Sequence, residues 1–176
     1  DRLEWLEECV SRGLRLYGQG VTFRGGFEFT FADWNLYDDV PTWREVTLGS
    51  VEERLRKMQD PELRRTLREE WDAGIRPSPG ATVDPIDRLV VVEVGHQELG
   101  QYEGLTVGQI ASQQGKHVID ALLDLAVSDG LQTEFLANRS ESAGYTAEMV
   151  RSPYVIPGIS DGGAHVKFQT SGGFGT

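Results

Sequence analysis

The stretch Ser160–His165 (sequence SDGGAH) contains the side chains best suited to chemistry. It follows an apolar run, Tyr154–Ile159, that we predict to be a short strand. A carboxylate at the mouth of a strand, on a glycine-rich backbone, can bind a metal ion or transfer a proton, and Asp161 would be that carboxylate. An Asx-type turn, in which the Asp161 side chain caps its own backbone, accounts for the same residues, and both interpretations stay open.

A few other side chains could contribute to a site. His165, at the end of the same stretch, is a candidate substrate contact or a hydrogen-bonded structural residue. Tyr17 ends a predicted strand and could face a site, or could be a core-edge tyrosine with a solvated hydroxyl. His96 follows a strand and His117 begins a helix, which gives them weaker claims. The histidines form no HxH or HxxxH pair, so the sequence shows no complete metal site.

The composition excludes several classes of function. The 176 residues suffice for one domain with a hydrophobic core. With 17 basic and 28 acidic residues, the net charge of −11 argues against nucleic acid binding. No apolar run approaches the roughly 20 residues that span a bilayer, and no signal peptide is present, so we expect a cytoplasmic protein. The single cysteine, Cys9, excludes an internal disulfide and is expected to be buried.

Hydrophobic periodicity and capping residues predict the elements that position these side chains. We predict helices at 1–12, 50–58, 60–72, 106–115, 117–128 and 146–151, and strands at 14–17, 23–31, 88–94, 132–136 and 154–159. The alternation of strands and helices in the second half is typical of α/β proteins with a parallel sheet. We expect the strand at 88–94 to be buried on both faces of that sheet, and the charged helix at 60–72 to be solvated and stabilised by i,i+4 pairs. Ligands of such sheets bind at the carboxyl ends of strands, where Asp161 would lie.

Several segments, in order and over nearly the whole chain, match one known family. The segments are Pro41–Glu45, Arg54-Leu55, Asp60–Arg64, Leu105–Ala111, Gly115-Lys116, Asp120–Leu125 and Pro153–His165. Together they resemble the N-acyl-D-amino-acid deacylase (D-aminoacylase-like) branch of the metal-dependent amidohydrolase superfamily. Pro153–His165 is similar to the last barrel strand of these enzymes and the loop that follows it.

The resemblance implies an α/β fold that forms part of a (β/α)8 barrel of the TIM type, with a helical insert. Residues 1–75 would be a strand plus the insert, and residues 76–176 the last barrel strands and helices. One or two divalent metal ions, usually zinc, are implied as cofactor, and a small-molecule amide as substrate. Asp161 matches the aspartate that binds the metal or its water, takes a proton from that water, and passes the proton to the leaving amine.

Other parts of the family pattern do not occur in the chain. The HxH motif of the first barrel strand is absent, as are the histidines that follow the fifth and sixth strands. We therefore expect the remaining ligands upstream of Asp1, an isolated chain without activity, and contact with another copy or with the rest of the enzyme. Two alternatives stay open: a non-catalytic α/β module for binding or assembly, and an amidohydrolase that acts on a cyclic amide.

Overall fold

The computed structural model describes residues 1–20, 26–33, 37, 39–77, 85–138, 143–158 and 169–170. The helices are α1 (Arg2–Ser11), α2 (Pro41–Thr47), α3 (Val51–Met58), α4 (Pro61–Asp72), α5 (Val107–Gln114), α6 (Val118–Ser128) and α7 (Ala143–Arg151). The strands are β1 (Gly18–Gly20), β2 (Gly26–Phe29), β3 (Val90–Glu93), β4 (Glu134–Asn138), β5 (Val155–Pro157) and β6 (Gln169–Thr170). Short 3₁₀ turns occupy Ile86–Arg88 and Gln97–Tyr102. The α/β class is therefore confirmed.

The strands β1 and β5 form a parallel pair in which Gly18 lies beside Val155 and Gly20 beside Pro157. The strand predicted at 14–17 is wrong in its position, because the strand begins only at Gly18. The amide of Leu14 instead donates to the Cys9 carbonyl, 3.2 Å away, at the end of α1. Leu14, the first residue of the predicted strand, is therefore hydrogen-bonded to the C-terminal end of α1.

Helices α1 and α7 pack closely on one face of this parallel pair. A Cβ atom added to Gly18 would lie 3.2 Å from Leu6 Cδ2 of α1, and one added to Gly20 would lie 2.9 Å from Met149 Cγ of α7. The absence of a side chain at both positions therefore lets the helices approach the backbone of β1. Cys9 of α1 is buried, as predicted.

A second sheet contains four strands in the order β3-β4-β2-β6, and all its pairings are antiparallel. The parallel sheet predicted for the second half is therefore wrong for β3 and β4, whereas β5 pairs in parallel with β1 from the first half. Strand β2 precedes residue 75, whereas β3, β4 and β6 follow it, so the two segments expected from the sequence share one sheet.

Strand β3 is not buried on both faces, contrary to our prediction. Val91 is fully buried, whereas Val92 is 38% exposed and Glu93 is exposed. Leu89 is also fully buried, but it precedes the strand, and the pairing register with β4 shifts between Val91 and Glu93. The apolar run 89–92 therefore combines a turn residue, Leu89, with an edge strand that contains a bulge. Such a run has the same hydrophobic pattern as a strand buried on both faces, so periodicity does not distinguish the two structures.

The inner face of the antiparallel sheet carries an aromatic cluster. Phe29, Phe31 and Phe135 are buried with ring centroids 5.7–5.9 Å apart. Tyr37 joins them and lies 5.2 Å from the Trp43 ring, and its burial raises the pKa of its hydroxyl above the ordinary value. The edge-to-face contacts of such rings add to the free energy of their burial. Trp43 lies on α2, a helix that is not among the predicted ones.

Helices α2 to α6 cover this aromatic face. Their buried side chains include Val46, Leu67, Ile110, Leu122 and Leu123. Capping boxes start α3 at Ser50 and α5 at Thr106, as predicted, because each cap hydroxyl accepts from the backbone three residues later.

The charged helix α4 is only partly as predicted. Arg65 pairs with Glu62 and Glu69 on its own helix, as an i,i+3 and i,i+4 pair. Arg64 and Arg68 instead reach across to α6, where Arg64 lies 2.6 Å from Asp124 and Arg68 lies 2.9 Å from Asp120. Because the Arg64 side chain is only 15% exposed, this pairing ties the two helices together rather than forming a solvated face.

The close approach of α7 to β1 gives a testable prediction. Gly20→Ala should lower the free energy of unfolding by about 1–3 kcal/mol, because the new methyl group would overlap Met149. Chemical denaturation followed by circular dichroism measures this change.

Two further variants serve as controls. Gly100→Ala introduces a methyl group that would meet no atom within 4 Å, so it should change stability by less than about 0.5 kcal/mol. Met149→Ala combined with Gly20→Ala should restore part of the loss. Equal effects at Gly20 and Gly100 would contradict the packing described for β1.

Candidate functional site

Strands β1 and β5 end at the same edge, and the predicted catalytic stretch follows β5 in the sequence. Asp161 and His165 lie outside the described residues, and Gly158 is the last described residue before them. The Gly158 amide donates to the Gly20 carbonyl at 2.9 Å, which joins the carboxyl ends of the two strands. Asp161 follows three residues later in the sequence.

Both strands of the parallel pair lead into the antiparallel sheet. Residues 21–25 connect β1 to β2, and residues 158–168 connect β5 to β6. Strands β2 and β6 are neighbours in that sheet. The antiparallel sheet is therefore joined twice, through short connections, to the edge from which the predicted catalytic stretch departs.

Tyr17 lies immediately before β1, at the opposite end of the strand from Gly20. Its side chain is 68% exposed. Its role in substrate binding stays a prediction.

A histidine–aspartate pair forms at the turn that follows β3. The Asp129 carboxylate is fully buried, and its Oδ1 lies 2.8 Å from His96 Nδ1. The same carboxylate accepts from the backbone amides of Gly95 and His96, at 2.9 and 2.8 Å, and from the Thr133 hydroxyl at 2.7 Å. Because a carboxylate accepts hydrogen bonds, Nδ1 of His96 is protonated and Nε2 is left available in the 63% exposed ring.

The electrostatics of Asp129 follow from these contacts. Burial alone would raise the pKa of the carboxyl group, but the hydrogen bonds from Thr133, Gly95 and His96 together hold the pKa below its ordinary value. Asp129 thus stays ionised and fixes the end of α6 to the turn after β3.

The turn that follows Asp129 is strained, because Leu131 is fully buried with φ of 66°, a conformation that costs about 1–2 kcal/mol outside glycine.

His117 is the N-cap of α6. Its Nδ1 accepts from the Ile119 amide at 3.2 Å, and its Nε2 lies 3.2 Å from Asp72 of α4. Since Nδ1 is an acceptor, Nε2 carries the proton and donates to Asp72. These two contacts account for His117 as a structural residue.

Acidic side chains meet on the outer face of the antiparallel sheet. Glu134 of β4 lies opposite Glu93 of β3. Partial burial raises the pKa of Glu134, and the nearby carboxylates of Glu28 and Glu93 raise it further. Like charges on one sheet face disfavour one another, so this group destabilises the sheet at neutral pH.

Among the described residues, His96 is the side chain best placed for proton transfer. His96 can accept or donate a proton at Nε2, but no nucleophile or second acid is described beside that atom. Within the described ranges, no three histidine, cysteine, aspartate or glutamate side chains lie close enough to hold a metal ion. Asp161 stays a predicted metal ligand on the basis of its sequence context.

Asp129 is a residue that the sequence alone did not single out. The signal present was His96 at the end of a strand, but its partner lies 33 residues away on another element. The Asp129-Gly130 pair at the end of a helix indicates a turn, and nothing local shows which backbone amides the carboxylate would accept.

Comparisons with known proteins find relatives without a described function. Proteins from Mycobacterium tuberculosis and Mycobacterium bovis, each described as uncharacterized, are 29% identical to this chain over 177 aligned residues. The alignment covers 93% of this chain and 28% of the relatives. The chain thus spans little more than a quarter of the length of these relatives.

The other comparisons find no match. No family model matches the chain, and no solved structure resembles it with significance. Across the described residues, the helices are all too short or too polar to cross a membrane.

The contacts of Asp129 give a pH-dependent prediction. The folded pKa of Asp129 is lowered, so its stabilisation is fully present above the ordinary value of 3.8 and is lost as the pH falls through the folded pKa. Asp129→Asn should lower the free energy of unfolding at pH 7 by about 2–3 kcal/mol and should weaken this loss in acid. Urea denaturation between pH 2 and pH 7 measures both effects.

The matched control is Asp72→Asn, which alters an aspartate whose side chain is 71% exposed and which also pairs with a histidine. It should change stability by less than about 0.5 kcal/mol. If Asp129→Asn were equally mild, the buried carboxylate would not be the anchor of this turn.

Proposed function

We propose that this chain is part of a metal-dependent amidohydrolase that hydrolyses a linear amide bond, of the kind found in N-acyl amino acids. The observation that supports this most is the ordered resemblance of its segments to the D-aminoacylase-like branch, which ends in the stretch that contains Asp161. The parallel pairing of β1 and β5 is consistent with a place in a (β/α)8 barrel. Ligands of such barrels bind at the carboxyl ends of the strands.

Asp161 has the role of the proton-transferring carboxylate in this proposal. It would accept a proton from the water that attacks the amide carbonyl and would deliver that proton to the departing amine nitrogen. Asp161 follows Gly158 by three residues in the sequence, and Gly158 lies where the ends of β1 and β5 meet. A loop at this edge is where a barrel positions its catalytic residues, and that supports the assignment.

The metal part of the proposal depends on residues outside the described ones. One or two zinc ions are implied by the resemblance, and the described residues provide no group of three ligands. Asp161 is the ligand that the resemblance assigns in this sequence, and the other ligands would come from a different segment of a longer protein. His165 is proposed as a substrate contact and Tyr17 as a second one.

The exposed face of the parallel pair supports the proposal that another chain or segment packs on it. Parallel sheets are normally covered on both faces, but Ile156 of β5 is 57% exposed, and so is most of Tyr17 beside β1. We propose that the rest of a longer enzyme, or another copy of the chain, covers this face. We also place the protein in the cytoplasm, without nucleic acid or membrane as a partner.

The test compares the chain alone with the longer protein that would contain it. Release of free amino acid from N-acetyl-D-leucine, N-acetyl-L-leucine and a cyclic amide is measured in the presence of zinc. The chain alone should be inactive, and the longer protein should hydrolyse the linear amide. Asp161→Asn in the longer protein should reduce kcat by roughly 100- to 10,000-fold, because proton transfer is lost.

Glu148→Gln is the matched control, since it neutralises an exposed carboxylate on α7 and should leave the rate unchanged. Hydrolysis of the cyclic amide alone would favour the other amidohydrolase class. A longer protein without any hydrolysis would favour a non-catalytic module, and full activity in Asp161→Asn would overturn the role of Asp161.

A further inference from the structure

We infer that His117 is a pH-sensitive cap, whose neutral ring starts α6 and whose protonation opens the first turn of that helix. The ring makes two contacts, and each contact uses one of its two nitrogen atoms. Nδ1 accepts from the Ile119 amide, and Nε2 donates to Asp72 at the end of α4. A protonated ring cannot make both contacts, because both of its nitrogen atoms are donors.

The Ile119 amide depends on the neutral form of the ring. The first four amides of a helix have no acceptor within the helix, and Ile119 is the second residue of α6. Its bond to His117 is partly buried, and its side chain is fully buried. Protonation replaces the acceptor with a donor and places a positive charge at the N-terminal end of α6, where the helix dipole disfavours cations.

The Asp72 carboxylate opposes this effect, because it attracts a protonated ring. Its side chain is 71% exposed, and an exposed ion pair contributes little to stability. Loss of a cap shifts the opening equilibrium of a helix end by about fivefold, and repulsion by the helix dipole adds about twofold, whereas an exposed pair typically recovers about twofold. Protonation of His117 should therefore favour the open end by about fivefold.

The other charges around His117 are paired with one another. Arg68 of α4 pairs with Asp120 of α6, and Lys116 pairs with Asp124. Helix α5, which also packs on α6, has no titratable side chain. On α3 and the 3₁₀ turn at 86–88, no hydrogen bond or ion pair between described residues joins His117 to a charged side chain, and these side chains are Glu52, Glu53, Arg54, Arg56, Lys57, Asp87 and Arg88. The response of the ring to pH is therefore set by its contacts with the Ile119 amide and Asp72.

The opening is confined to the start of α6. One turn further along, Arg64 lies 2.6 Å from Asp124. Burial would raise the pKa of Asp124, but the hydrogen bonds from Lys116 and Arg64 hold the pKa below its ordinary value, so this pair persists in mild acid. Leu122 is fully buried in the core. Mild acid therefore loosens residues 117–119 and leaves the rest of the helix packed.

The test measures amide hydrogen exchange in this chain at pH 7.5 and pH 5.5, with each rate divided by the intrinsic rate at that pH. Histidine side chains ordinarily titrate between these values. Protection of the Ile119 amide should fall by about fivefold at the lower pH, whereas protection of the Leu125 amide in the middle of α6 should change by less than about twofold. Unchanged protection of Ile119 would overturn the inference. Higher protection at pH 5.5, which a dominant pair with Asp72 would give, would overturn it as well.

Three variants assign the effect to one ring. His117→Asn keeps a cap that has no ionisable group, so the Ile119 amide should then be equally protected at both pH values. His96→Asn is the matched control, because it removes the other described histidine and should keep the fivefold fall. Asp72→Asn removes the competing attraction and should enlarge the fall to about tenfold. A fall of undiminished size in His117→Asn would mean that a different group titrates, and the role of His117 would be wrong.

Discussion

The parallel pairing of β1 with β5 brings the two ends of the chain together and sets the arrangement of everything between them. Residues 21–154 separate the two strands, which backbone contacts at Gly18, Gly20 and Gly158 hold in register. A parallel pair requires a crossover, and here that crossover contains three strands of the antiparallel sheet and its helices. The glycines of β1 allow α1 and α7 to cover one face, and the other face carries Gln19 and Ile156.

The antiparallel sheet provides most of the hydrophobic core, and it is organised by burial of the aromatic cluster against α2 to α6. Ion pairs between α4 and α6 connect two of the helices that cover the sheet. The Asp129 carboxylate connects the end of α6 to the turn after β3, because it accepts hydrogen bonds from Gly95, His96 and Thr133. Such buried carboxylates are costly to desolvate unless their acceptor sites are used, and Asp129 meets that condition. Two connections lead from this core to the edge where β1 and β5 end.

The described α-helices other than α2 could be predicted from the sequence, whereas the pairing of strands could not. Ser50 and Thr106 mark helix starts because a capping box is decided within four residues. The apolar run before Glu93 had two explanations, a central parallel strand or a strand with a bulge at the sheet edge, and the choice depends on its pairing with the distant β4. The His96–Asp129 pair could not be predicted for the same reason, because the two residues lie on different elements that are distant in the sequence. Asp161 and His165 rest on sequence alone.

If β1 and β5 belong to a larger parallel sheet, another part of a longer protein must complete that sheet. Amide hydrogen exchange in residues 18–20 and 155–157, compared between this chain and the longer protein, measures whether it does. We expect exchange in these strands to slow by roughly 100-fold in the longer protein, while exchange in α6, already packed in the core, changes little. Equal exchange of the two strands in both proteins would contradict their place in a larger sheet.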